Sequence, residues 1–432
     1  MTTVADQSFA EQHDRGGAAG EPGFVRALRD AGRETFLAQR LPTQKHEDWR
    51  YTNLAPLTGQ PWVAAPRGSA PADAGELPPA PRLVFSNGRL DPALTDLSGL
   101  SPGVSVGSLA AAMRERPGTV EALLASRSAS GHPFAALNAA LFEDGAFVEI
   151  ADGAHAERPI HVVHLSGAAG VAAALHPRNL VAAGRGARAA VIESYRGVGR
   201  YLVNAVTDVA LGEGAHLDHA HVQEESGEAF HLAVVHVEGG ARSRYAGRSM
   251  ALGSALARVE SHAVLCGEGA SCDLDGLYVG QGRQLLDHLV LVDHASPGCT
   301  SRQLFKGILD DHARGVFAGR ILVREGAQKT DASQSNSNLL LSDDASIDTK
   351  PQLEILNDDV KCSHGGTVGQ LREDHLFYLR SRGIPEKLAR ALLTWAFASE
   401  MVQRVGSPDV RARVRAAVTA RLPGGVLLTE AA

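Results

Sequence analysis

Cys362 and His364 stand two residues apart in the run Lys361-Cys362-Ser363-His364-Gly365-Gly366-Thr367. A thiolate is a soft ligand for iron or copper and imidazole an intermediate one, and on extended backbone an i, i+2 pair presents both groups from one side. Two ligands do not fill a tetrahedral site, so a complete one needs residues from elsewhere in the chain or from a partner. A second reading stays open at this point, that of a structural cysteine beside a hydrogen-bonded histidine.

The other reactive side chains are more scattered. HLDHAH places His219 and His221 on one side of a strand, where stacked imidazoles could bind a metal, although solenoid coils also stack polar residues on an exposed face without any ligand. Cys266 and Cys272 share strand parity but are separated by Gly267 and Gly269, and both read as buried small residues. Cys299, in SPGCTSR, has no charged activator beside it. The four cysteines form no CxxC pair and no zinc spacing, as suits a reducing compartment. There is no GxxxxGK[ST] loop, so any ATP must be bound by another chain, and GxSxG and HExxH are absent as well. Asp343–Asp344 and Asp358–Asp359 read as solvated loops. The chain is not expected to be an enzyme.

The elements that hold these residues divide the 432-residue chain in three. Hydrophobic residues make up 44%, charged residues 21% and aromatics only 5%, which calls for an aliphatic core, while 46 glycines call for many tight turns. The net charge of −7 offers no basic field for nucleic acid, and no apolar run is long enough to span a bilayer or export the chain, so a cytoplasmic protein is expected. Residues 1–20 read as a disordered tail. Residues 21–145 read as mostly helical, with a helix over Gly23–Gln39, a Pro/Ala/Gly-rich linker at 59–82, a short strand at Leu83–Phe85 before an Asn87–Gly88 turn, and helical pieces around Leu109–Met113, Val120–Leu124 and His132–Leu141.

From 146 to 368 short β-branched runs alternate with Gly-containing breaks. The turn recurs at Gly186–Ala187, Gly214–Ala215, Gly240–Ala241 and Gly269–Ala270, its alanines 28, 26 and 29 residues apart, with looser echoes at His312–Ala313 and Asp344–Ala345. A recurring turn phase predicts a β-solenoid, in which stacking buries a ladder that no single coil could bury. A β-sandwich would show similar strands without that repetition. Residues 369–432 return to helix. Leu388, Leu392, Trp395, Ser399 and Val402 form one stripe after Pro385, and Val410, Val414, Val418 and Leu422 another after Ser407–Pro408.

Three segments carry a family resemblance: LPTQKHEDWRYTNL from Leu41, KTDASQSNSNLLLSDDASIDTKPQLEILNDDVKCSHGGTVGQL over 329–371, and FYLRSRGIP from Phe377. Together they resemble the SufB/SufD family, the non-ATPase scaffold subunits of the SUF iron–sulfur cluster assembly machinery. Ser363 before His364 and Gly365-Gly366 after it fit the SufD branch, since the SufB branch surrounds this histidine with acidic residues. The resemblance implies a right-handed parallel β-helix flanked by helical regions, a heterodimer with a SufB-like paralogue through the β-helices, and a SufC-like ATPase docked on the C-terminal helices, where the Leu388–Val402 stripe is the expected contact. It also implies that His364, with Cys362 as its neighbour, helps hold a nascent iron–sulfur cluster shared with a partner cysteine, and that no cofactor is tightly bound by the isolated chain. A reduced flavin belongs to the same expectation for the complex. The alternatives are a SufB paralogue or a β-helix carbohydrate-active enzyme; the latter would want an acidic and basic cluster on one coil.

Overall fold

Aliphatic residues stacked at one position of successive coils set the architecture. Val181, Val209, Val237, Ala263, Val292, Ile321 and Leu353 are neighbours in register along one parallel ladder, and all but Leu353 are fully buried. Each such valine or isoleucine taken from water contributes about 1.5–3 kcal/mol, and only its neighbours above and below can bury it. The computed structural model, which describes residues 2–15, 21–66, 75–125, 132–167 and 170–425, is accordingly a parallel β-solenoid of about eight turns with helices at both ends. The sandwich reading is excluded by the ladders of the coils from Ile160 to Gly369, which pair with one another in parallel.

Successive strands alternate between two sheets. The first runs through Tyr201–Leu211, Phe230–Gly239, Leu256–Leu265, Leu285–His294 and Arg314–Val323 to Ser346–Ile355. The second runs through Arg188–Val198, His216–Glu224, Arg244–Ala251, Ser271–Gly280, Thr300–Leu309 and Asp331–Leu340 to Lys361–Gly369. One corner between them has a fixed chemistry: a left-handed residue (Gly186, Gly214, Arg242, Gly269, Gly298, Lys329) followed by a small buried one (Ala187, Ala215, Ser243, Ala270, Cys299, Thr330). Glycine suits the first position because it adopts positive φ without steric cost. The Gly240–Ala241 pair is therefore out of phase with the other three turns, since Arg242, at φ 54°, occupies the left-handed position of that coil. The echoes at Ala313 and Ala345 mark the opposite corner, just before Arg314–Val323 and Ser346–Ile355.

The two ends of the solenoid differ. At the N-terminal end Arg82–Ser86 turns back on Arg89–Leu90, through Asn87 and Gly88 at positive φ, and Val104–Ser108 lies antiparallel to Ala146–Ile150, so each sheet finishes there on an antiparallel strand. At the C-terminal end Ser346–Ile355 and Lys361–Gly369 each have a strand neighbour on one side only.

The helix Gly23–Gln39 forms as expected. The tail expected to be disordered instead carries a helix over Val4–Arg15. Thr3 and Asp6 cap it reciprocally, and Phe9 is buried edge-on against Phe36, 6.2 Å between ring centroids; residues 16–20 lie outside the described residues. Within the 59–82 linker Trp62 is buried and Val63–Ala64 pairs with Ala173–Ala174, while residues 67–74 lie outside the described residues. At the C-terminus, Glu386–Gln403 and Pro408–Arg421 pack on the outer face of the second sheet, over Met250, Leu277, Val279 and Ile308. Val410, Val414, Val418 and Leu422 are all buried there.

Candidate functional site at the open end of the solenoid

Cys362 and His364 lie on the last strand of the second sheet, paired with Ala332 and Gln334 of the rung below. Ala332, Gln334, Asn336 and Asn338 are buried in the bore of the solenoid, so strand parity turns Cys362, His364, Gly366 and Val368 toward the same bore at its mouth. No further rung covers them. His364 and Val368 are exposed, whereas Cys362 is half-buried against Ile321, Val323, Ala332 and Leu353. Burial pushes the Cys362 thiol above its ordinary range, which favours the protonated form near neutrality.

The floor of the mouth is polar. Asn338 donates to the Asn336 side chain at 2.7 Å, and Asn336 donates to the Tyr278 hydroxyl at 3.1 Å. Gln303 and Gln334, buried in the column that ends at His364, have side-chain amides with no partner among the described residues. Motif reading missed both glutamines, because they precede His364 by one and two whole coils. Beside this column Phe305, on the same strand as Gln303, packs against Phe317 with 4.9 Å between ring centroids, and both are buried.

The other candidate residues fall elsewhere. His219 and His221 face the interior rather than an exposed face. The reason is a buried carboxylate: Glu193 lies 3.1 Å from His219 Nε2 and accepts the Tyr195 hydroxyl at 2.7 Å. His221 Nε2 lies 3.0 Å from His231 Nε2, and His231 Nδ1 lies 2.8 Å from Glu225. Among the described residues no group of three or more His, Cys, Asp and Glu is arranged to hold a metal ion. Cys272 and Cys299 are buried, but Cys266 is exposed, because it follows the strand Leu256–Leu265 at a corner and not inside a rung. On the helix Glu386–Gln403 the buried residues are Ala389, Ala391, Thr394, Ala398, Met401 and Val402, so the expected stripe sits at their margin: Leu388, Leu392, Trp395 and Ser399 are half-buried and, of the stripe, Val402 alone is buried. Small alanines let the helix approach the sheet closely, which a count of large residues overlooks. Phe377 and Tyr378, on the preceding helix Glu373–Ser381, are exposed.

The N-terminal motif staples the helical region to the first sheet. Arg258, fully buried, sits 3.9 Å from the Trp49 ring centroid and pairs with Glu260 and Asp287, while Thr52 donates to Asp287 and Lys350 pairs with Glu47.

Comparison with known proteins agrees with this layout. A family model described as the SufBD core domain of SUF system FeS cluster assembly matches residues 164–397, and one described as the SufBD protein N-terminal region matches 80–162. The chain belongs to the SufBD family. The SufD iron–sulfur cluster assembly protein of Escherichia coli is 33% identical over 400 residues, covering 91% of this chain and 92% of its own length. A SufBD family protein of Synechocystis is 35% identical over 411 residues, covering 91% of this chain and 90% of its own length. The chloroplastic protein ABCI7 of Arabidopsis thaliana is 29% identical, with 90% and 85% covered. The SufBD core match spans the mouth of the solenoid and the strand that carries Cys362 and His364. Among the described residues no helix is long and apolar enough to cross a membrane.

Proposed function

We propose that this chain is a SufD-like scaffold subunit, not itself an enzyme, that works in the cytoplasm and presents His364 at the open end of its solenoid to a SufB-like paralogue. The supporting observation is the asymmetry of the ends: among the described residues one finishes on short antiparallel strands, and the other on full-length parallel strands paired on one side, with Cys362 and His364 at its mouth. Solenoids require caps, and an unpaired edge recruits a strand from another chain. A paralogue of the same fold meets that need by continuing both ladders, and its own side chains complete the ligand set that one thiol and one imidazole leave open. The nascent iron–sulfur cluster is then cargo shared across the junction.

The ATPase of the system, a SufC-like subunit, docks in this reading on the C-terminal helices through the half-buried Leu388, Leu392, Trp395 and Ser399. Val402 faces the sheet and is withdrawn from that surface. Movement of the helices transmits to the last rungs because they rest on the second sheet, which ends at His364.

His364→Ala tests the assignment in the reconstituted complex. Cluster formation, followed by its visible absorption, should fall strongly while both partners still co-purify. A normal rate of cluster build-up would remove His364 from the site.

A further inference from the structure

A second histidine constellation lies on the outer face of the first sheet, in a cleft of about 900 Å³ roofed by Arg40, Pro42 and Trp49 of the N-terminal motif. His236 and His262 are register partners on adjacent rungs, and both line this cleft with their rings about a quarter exposed. Each ring has one nitrogen committed to a carboxylate behind it. His236 Nδ1 lies 3.2 Å from Asp208, and His262 Nε2 lies 3.4 Å from Glu260. Those carboxylates are themselves fixed: Arg178 donates to Asp208 at 2.7 Å, and Arg258 donates to Glu260 at 2.7 Å. The opposite nitrogens, His236 Nε2 and His262 Nδ1, have no partner among the described residues and are left as lone-pair donors on the cleft side.

An imidazole whose far N–H is held by a carboxylate is the arrangement that orients a metal ligand and fixes its tautomer. The ring centroids are 5.5 Å apart and their planes nearly perpendicular, at 84°. Two imidazoles sharing one ion at metal–nitrogen distances of about 2.1 Å place their centroids about 5 Å apart, within reach of a small side-chain rotation. His132 does not join the pair: its Nδ1 accepts from the Ala135 N–H and its Nε2 faces Glu260 at 3.0 Å, so both nitrogens are in use.

We propose that His236 and His262 form a binding site for a first-row divalent transition-metal ion, distinct from the mouth of the solenoid. Imidazole favours iron, nickel, copper or zinc over magnesium or calcium. With two protein nitrogens the ion keeps water in its remaining positions. The competing reading is a polar ladder that decorates the sheet without a ligand.

Anaerobic titration of the full chain with Co²⁺, read by calorimetry and by the cobalt absorption bands, separates the two. One equivalent should bind, His236→Asn and His262→Asn should each weaken it by at least about tenfold, and His46→Asn, in the same cleft but with no carboxylate behind it, should bind as the parent does. X-ray absorption at the cobalt edge of the unsubstituted protein should count two imidazole ligands, which decides the matter even if a variant fails to fold. Absence of stoichiometric binding, fewer than two imidazoles, or unchanged affinity in His236→Asn or His262→Asn would overturn the site.

Discussion

Gln334 lies directly beneath His364 in the second sheet, one rung down the same bore-facing column. Rungs are about 4.8 Å apart, so the buried amide of Gln334, unpartnered among the described residues, is the nearest polar floor for the imidazole when it turns inward. An unmet buried amide costs about 1–3 kcal/mol. Gln334→Leu, of similar volume, should therefore leave the thermal midpoint unchanged or raise it, while lowering the rate of cluster formation about tenfold, as loss of an orienting neighbour does. Melting curves and cluster absorption measured on the same sample check both halves. A variant as active as the parent would show that Gln334 does not position the ring.

Val368 tests the unpaired edge. It is exposed on the last strand and shares the parity of His364. Val368→Glu should shift the folding stability of the isolated chain by no more than about 0.5 kcal/mol. In a complex that caps the mouth, the same carboxylate is buried without a counter-charge, and affinity for the SufB-like subunit should fall by about 2–5 kcal/mol. Sedimentation of the two subunits together reads the difference. Equal affinity would place the contact elsewhere.

The solenoid was legible because its corners repeat a backbone requirement. Gly186, Gly214 and Gly269 recur in phase where the chain must turn left-handed. The coil between was misplaced because Arg242 adopts the same conformation without advertising it. The helix Val4–Arg15 was overlooked although Thr3 and Asp6 spell a capping pair, since its burial depends on Phe36, far along the chain. Cys362 and His364 were visible as neighbours in sequence. Gln303 and Gln334 become their neighbours only through the parallel register, as do His236 and His262, and register is a property of the stacked coils that local spacing does not encode.

Arg258 holds two buried carboxylates at once. Burial alone would raise Glu260, but Arg258 and His132 outweigh it and keep that carboxyl well below its usual range, whereas burial of Asp287 prevails and leaves it raised. Arg258→Met keeps the volume and removes the charge, leaving Asp287 without its cation and Glu260 to His132 and His262. A loss of about 3–5 kcal/mol is expected. Urea unfolding measures it, and proteolysis should cut first around the N-terminal motif, where Trp49 loses its stacked guanidinium.

Acid should weaken the fold well before its carboxylates protonate. Burial pushes His161, His164 and His294 down to about 4 and His176 and His288 down to about 3, against an unfolded value near 6.5. Between those limits the unfolded chain binds more protons than the folded one, so stability is fully present above about pH 6.5 and declines as pH falls toward 4. Each histidine contributes at most about 1.4 kcal/mol per pH unit in that window. Glu193 does not act there. Burial would raise it, but His219 outweighs burial and holds it low, so the stability it lends is lost only below the ordinary carboxylate range. The urea midpoint should drop from pH 7.5 to pH 5.5. His288→Asn, which removes an imidazole hydrogen-bonded with Ser249 at 2.9 Å between the rings of Tyr278 and Phe305, should flatten that drop. A midpoint independent of pH over this range would mean that these imidazoles take up protons equally in the folded and unfolded chain.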